Sequence, residues 1–295
     1  MAISKHEAAL AFQRHGLEGL PARVIAGARE LVDLSGGDFS QVSAVTVRAC
    51  GPGEDKNLPR LVSVSLADAC DWVASTPHPC FIVQPYDELV FSLELVVTPD
   101  QLFAELVPGI WELDNRFAPG TLRLRQGDDA VEVALPLEPQ QAKFWNPQLG
   151  APEWEPRLVE GWQIAVTVDW LAAHSEALRQ LATELGFPLG IKAHYSRCYG
   201  ISPQNIHTKN VVGPTADDHI GAPNGTPVVT DSGAPVPVAD AVTLLAPIAR
   251  EDHDDLSRLI DRLHVGGVRR VYLQSGMLSH LAITLRERGF EVKRA

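Results

Sequence analysis

Apolar and polar positions alternate through much of the first half of the chain. The stretches QVSAVTVRA (41–49) and RLVSVSL (60–66) carry this period of two and predict β-strands. FIVQPYDELVFSLELVV (81–97) predicts one or two more. Helical signals interrupt them. Ser4 and Glu7 have the spacing of a capping box, and the apolar residues up to 15 follow at helical intervals. After Pro21, the residues Ile25, Ala28, Leu31 and Val32 share one helical face, and Ser35, Gly36 and Gly37 end that helix. Thr98, Pro99 and Gln101 read as N-cap, first-turn proline and capping-box partner of a helix that stops near Pro108. GTLRLRQGDDAVEVALP (120–136) predicts a hairpin with Gly127, Asp128 and Asp129 at its turn.

The second half is patterned differently. Residues 136–162 hold five prolines and three tryptophans, which predicts a domain boundary, a linker or a long surface excursion pinned by its tryptophans. A strand (162–168), a helix (170–186) and a strand (190–197) follow; Leu171, His174, Leu178, Leu181 and Leu185 form the helix stripe, so His174 reads as a packed residue. Four glycines and five prolines in 213–239 exclude a helix there and predict a long loop. The last 55 residues alternate strand and helix, with Gly266, Gly267 and Gly289 past the helix ends. A parallel βαβαβ layer is expected. The fold class is therefore α/β: a mixed α+β region with hairpins (1–140), a Pro/Trp-rich connection (141–161) and an α/β region (162–295). Whether these make one domain or two stays open.

Composition narrows the function classes. The chain has 25 Lys and Arg against 37 Asp and Glu, a net charge of −12, which argues against non-specific nucleic-acid binding. Nothing approaches a membrane span, and MAISKHEAALAFQRHG reads as helix instead of signal peptide. Cys50, Cys70, Cys80 and Cys198 contain no CxxC pair, so reduced thiols and a cytoplasmic location are expected. GxGxxG, Walker, HExxH and GxSxG signatures are all absent, so the cofactor is unknown from sequence.

The candidate chemistry lies where the acids vanish. No Asp or Glu occurs between Glu184 and Asp217, and two of the six lysines fall there. Lys192, Arg197 and Lys209 are candidate ligands for an anionic small molecule, with Tyr195 and Tyr199 orienting it and His194 and His207 moving protons. A plain solvated strand face is the alternative. As metal ligands, His194, Cys198, His207, Asp218 and His219 match no zinc spacing, and His194 and Cys198 on one strand stand about 13 Å apart. No metal is expected. Cys198 in SRCYG has the shape of an exposed nucleophile elbow, with Ser202 and Pro203 opening a helix behind it. Ser275 and Gly276 turn from strand to helix, where backbone N–H groups either hold an anion or receive an ordinary cap. Asp217, Asp218 and His219 would form a lid over the basic window. The leading expectation is an enzyme acting on a phosphorylated or nucleotide-like molecule. A non-catalytic binding or assembly protein is second, and a cysteine-nucleophile hydrolase or transferase third.

Overall fold

The computed structural model of the 295-residue chain describes residues 3–17, 19–35, 39, 41–51, 58–109, 118–127, 131–136, 139–146, 148–207, 222–230, 234–245, 253–274 and 276–295. It is a mixed α/β structure with antiparallel and parallel sheets. Three large hydrophobic cores organise the described residues, with a small fourth cluster of Val96, Phe103 and Leu278. The first underlies the antiparallel sheet β1-β4-β2-β3, built from β1 (Arg23–Ile25), β2 (Val45–Cys50), β3 (Arg60–Val64) and β4 (Cys80–Pro85). Helices α2 (Ala28–Ser35) and α3 (Leu66–Ser75) pack with it, burying Leu31, Ala69, Val47 and Phe81. The helix expected from residue 22 begins only at Ala28. Val24 and Ile25 are β-branched and pair with Ile82 and Phe81 instead. Helix α3 follows an N-cap at Ser65, whose hydroxyl accepts the Asp68 N–H.

The second core lies under a six-stranded antiparallel sheet, β12-β11-β5-β6-β7-β8. Its strands are β5 (Leu89–Val97), β6 (Gln101–Pro108), β7 (Gly120–Arg125), β8 (Val131–Ala134), β11 (Leu189–Ser196) and β12 (Gly200–His207). Helices α1 (Lys5–Arg14) and α4 (Gly161–Leu185) contribute Phe12, Leu171, Leu178 and Leu181 to that core. Two expectations fail here. Residues 101–108 form a strand, because both of its faces are buried: Leu102, Ala104 and Leu106 enter the core, while Phe103 meets Val96 and Leu278. A doubly buried strand is nearly all apolar and mimics a helix in sequence. Thr98 does accept the Gln101 N–H at 3.1 Å, but within a hairpin turn. The strand expected at 162–168 is the first part of α4. A capping box between Glu160 and Gln163 starts that helix, and Ile164 and Thr167 extend the stripe of Leu171.

The hairpin over 120–136 forms as expected from β7 and β8. The Pro/Trp-rich stretch supplies a second hairpin, β9 (Gln140–Asn146) with β10 (Ala151–Arg157), as a separate two-stranded sheet. It is attached where Gly109, just past β6, bridges Lys143.

The third core belongs to a parallel sheet, β13-β14-β15-β16: β13 (Val228–Val229), β14 (Ala241–Leu244), β15 (Arg270–Leu273) and β16 (Glu291–Arg294). Helices α5 (His253–Val265) and α6 (His280–Glu287) complete the predicted βαβαβ order and bury Leu259, Leu263, Leu281 and Leu285. The cap of α6 is Ser279, whose hydroxyl accepts the Ala282 N–H, four residues beyond the serine the pattern pointed to. Among the described residues, no helix is long and apolar enough to cross a membrane.

Candidate functional site

A cleft of about 410 Å³ opens where the first sheet, the six-stranded sheet and the β9–β10 hairpin meet. The first sheet contributes Thr46, Arg48, Arg60, Val62 and Gln84. The β4–β5 connection adds Tyr86, Asp87 and Glu88, and the large sheet adds His194, Ser196, Ser202, Gln204 and Asn205. The hairpin closes one side with Lys143, Phe144, Trp145 and Pro152, and Lys5 reaches in from α1. A narrower cavity of about 30 Å³ continues it past Lys5, Arg48, Gln84 and Gln204.

Strand alternation puts Arg48 on the cleft side of β2, directly opposite Arg60 of β3. Like charges in such cross-strand pairs repel. Among the described residues, no carboxylate pairs with either guanidinium, and Arg48 Nε is buried without a hydrogen-bond partner. Burial, with Arg60 beside it, lowers the Arg48 pKa to about 10. Trp145 Nε1, a donor, and Asn205 Oδ1, an acceptor, are lining atoms likewise buried without a hydrogen-bond partner. Four cations (Lys5, Arg48, Arg60, Lys143) thus face two acids, Asp87 and Glu88, in a chain that is acidic overall.

Of the charged and titratable residues picked out in the basic window, His194 lines this cleft; its other contributions are the uncharged Ser196, Ser202, Gln204 and Asn205. Burial depresses the His194 imidazole to about 3, helped by Arg48 and Lys192, so it is neutral at pH 7. His207 ends β12 opposite Gly190; burial first, then Lys192, lowers it to about 4. Neither unliganded imidazole titrates near neutrality, which revises the expectation that they exchange protons there. Lys192 stands opposite Glu94 of β5, with Nζ 3.8 Å from its carboxylate, both largely buried. It neutralises an internal acid instead of facing an external anion. Tyr195 points to the other side of β11 and stacks on Phe91 with ring centres 4.7 Å apart, against Trp162. It is a core residue.

Arg197, Cys198 and Tyr199 make the turn of the β11–β12 hairpin. The Cys198 N–H donates to Asp87 at 2.8 Å, which sets this turn beside the cleft without lining it. The elbow reading of Cys198 does not hold. Gly200 takes a positive φ of 71° and opens strand β12, so Ser202 and Pro203 start no helix. Asp87 raises the Cys198 thiol pKa, the reverse of activation. Gly276 is not at an open anion site either. The N–H groups of Met277 and Leu278 donate to Glu105 at 2.6 and 2.9 Å, so the anion that turn holds is a carboxylate of the chain itself. Lys209, Asp217, Asp218, His219 and Ser275 lie outside the described residues. His194, Cys198 and His207 do not converge on a common metal position among the described residues.

Arg48, Arg60, Trp145 and Asn205 escaped the sequence reading. The two arginines occur in strands whose alternation was legible, VTVRAC and RLVSV, but their opposition depends on the register between the strands.

No family profile matches the chain, and no curated protein is detectably similar to it. Distant likenesses occur among solved structures. D-alanyl-alanine synthetase A from Vibrio cholerae O1 biovar eltor str. N16961 is 11% identical with a TM-score of 0.39, over 70% of this chain and 55% of that one. The ADP complex of purK, an N5-carboxyaminoimidazole ribonucleotide synthetase, is 11% identical with a TM-score of 0.38, over 74% and 46%. The ATP-grasp ligase PsnB with a minimal precursor is 10% identical with a TM-score of 0.37, over 70% and 52%. This chain spans about half the length of those proteins. Likenesses this distant carry no argument about its reaction.

Proposed function

We propose that the protein is an enzyme acting on an anionic, phosphorylated or nucleotide-like small molecule held in the cleft between the three sheets. The observation that carries this reading is the pair Arg48 and Arg60, opposed across β2 and β3 with no carboxylate between them among the described residues. A phosphate or carboxylate would bridge the two guanidinium groups and relieve their repulsion. The remaining wall suits a ligand with further polar atoms and a planar part. Trp145 Nε1 offers a hydrogen bond, Asn205 Oδ1 accepts one, and Phe144 and Tyr86 supply apolar surface. His194, a neutral imidazole in the same wall, is the group placed to take a proton from the bound molecule; burial is the main cause of its low pKa, and an anion on Arg48 would offset the smaller part that comes from that charge. Lys209, Asp217, Asp218 and His219 stay proposed as further contacts.

Calorimetric titration with nucleoside mono- and triphosphates, sugar phosphates and pyrophosphate tests the binding. At least one should bind, and Arg48→Ala and Arg60→Ala should each weaken it by about 10- to 100-fold, the loss of one or two charge-assisted hydrogen bonds. No binding across the panel, or binding indifferent to both substitutions, would sink the proposal. Binding that survives His194→Gln with no turnover by either protein would favour the non-catalytic alternative.

A further inference from the structure

Outside the cleft, three metal-ligating side chains from distant parts of the sequence converge. Cys50 ends β2 and Cys80 opens β4, and the two are direct partners in the antiparallel register. Their sulfurs stand 3.0 Å apart. His6, in the first turn of α1, brings Nδ1 to 3.9 Å from Cys80 Sγ. All three ligand atoms lie within 4.8 Å of one another. The capping box of Ser4 and Glu7 fixes the backbone turn that carries His6.

We propose that His6, Cys50 and Cys80 form a binding site for one thiophilic d10 metal ion, Zn²⁺ being the probe that tests it. Two sulfurs and one imidazole nitrogen are the donor types such an ion takes. Bonds of about 2.3 Å to sulfur and 2.0 Å to nitrogen set the donors roughly 3.5–3.8 Å apart in a tetrahedron. The Cys80 Sγ–His6 Nδ1 separation, 3.9 Å, needs to close by less than about 0.5 Å, and the Cys50 sulfur lies within 4.8 Å of the same nitrogen. The sulfurs need to open by less than about 1 Å, within the reach of a χ1 adjustment on facing strands. His6 and Cys80 are partly exposed, which gives the ion a path in and leaves the fourth position to water. On binding, both thiols lose their protons to solvent and the neutral imidazole donates a lone pair; no electron transfer is involved. A disulfide would use the cysteines alone and give the imidazole no role. Spacing could not reveal the site, because 74 residues separate His6 from Cys80. Its consequence is a clamp between α1 and the first sheet, the two elements that supply Lys5 and Arg48 to the cleft.

The test uses the full-length reduced protein, stripped with a chelator and titrated with Zn²⁺ against a chromophoric competitor. One ion per chain should bind, with release of two protons at a pH below the thiol pKa values. Co²⁺ should give thiolate charge-transfer absorption. Cys50→Ser, Cys80→Ser and His6→Ala should each weaken Zn²⁺ by about 100-fold, the loss of one ligand from a three-residue set. Cys70→Ser and Cys198→Ser should not change it. Should a serine variant fail to fold, the Co²⁺ spectrum of the unaltered chain still decides. Absence of stoichiometric Zn²⁺, a Co²⁺ spectrum without thiolate bands, or loss of two thiols reversed by a reductant and not by a chelator would overturn the site; the last result would assign a disulfide.

Discussion

Lys192 shows what a linear window hides. It belongs to a run without acids, yet its partner Glu94 faces it from β5, almost a hundred positions earlier in the chain. Burial raises the Glu94 pKa and Lys192 opposes that rise. Removing the ammonium leaves a buried carboxyl uncompensated. Lys192→Ala should therefore destabilise the protein by about 2 kcal/mol, below the roughly 3–5 kcal/mol for breaking a fully buried pair because both groups keep some solvent. Arg197→Ala, at an exposed turn, should change stability by less than about 0.5 kcal/mol. Urea unfolding of both variants checks this. Equal stabilities would mean that Lys192 is not a structural partner. The acid-free character of 185–216 was legible; its meaning was not, because β-sheet partners are chosen across strands. Of the candidate site residues named in the basic window, His194 lines the cleft, beside the uncharged Ser196, Ser202, Gln204 and Asn205.

Elements were read well where apolar positions recur at the strand or helix period, as in β2 and the α5 and α6 helices. They were misread where both faces are covered, as in β6, or where β-branched residues occupy a long helix, as at Val166, Thr167 and Val168 in α4. The β9–β10 hairpin was invisible because its prolines and tryptophans break the alternation that marks a strand. Its seat depends on Gly109, which has a φ of 79°; a Cβ there would collide with the carbonyl oxygen of Lys143. Gly109→Ala should push the hairpin from the sheet and move Lys143, Phe144 and Trp145 together. The expected result is about 2–3 kcal/mol of lost stability, from overpacking and a disfavoured backbone region. Weaker binding of the cleft ligand should accompany it with both arginines intact. Unchanged affinity in a folded Gly109→Ala variant would remove the hairpin from the site.

Across the whole molecule, Glu105 joins the parallel sheet to the antiparallel one. It is fully buried, accepts the Met277 and Leu278 N–H groups, and lies near Arg294, which itself donates to Thr121 at 2.6 Å. Gly276 permits this approach, since a Cβ would come within 2.5 Å of the carboxylate. Burial raises the Glu105 pKa from 4.5 to about 7, against the pull of those donors. A raised folded-state pKa means that the folded protein holds its proton where the unfolded chain has released it. The stability tied to that proton is complete below about pH 4.5 and disappears as pH climbs through 7. In Glu105→Gln, which cannot ionise, the decline over that interval should be smaller than in the unaltered protein by up to about 3 kcal/mol. Denaturant titrations at a series of pH values measure it, and parallel curves would contradict the assignment. The βαβαβ order of the last 55 residues was plain in the sequence. That the turn between β15 and α6 would receive an acid from β6 was not, since in sequence that turn reads as an ordinary cap or a seat for a foreign anion.

The facing arginines at the cleft have one more consequence. A protein that keeps two like charges together stores a repulsion that any suitable counter-ion discharges, and such an ion binds the folded chain in preference to the unfolded one. Thermal stability then becomes a gauge of solution composition. Phosphate, sulfate or a nucleotide in the buffer should raise the melting temperature in proportion to the logarithm of its concentration, while chloride at equal ionic strength should not. Replacing Arg48 by methionine should break the gauge twice over, lifting the baseline in anion-free buffer and flattening the response.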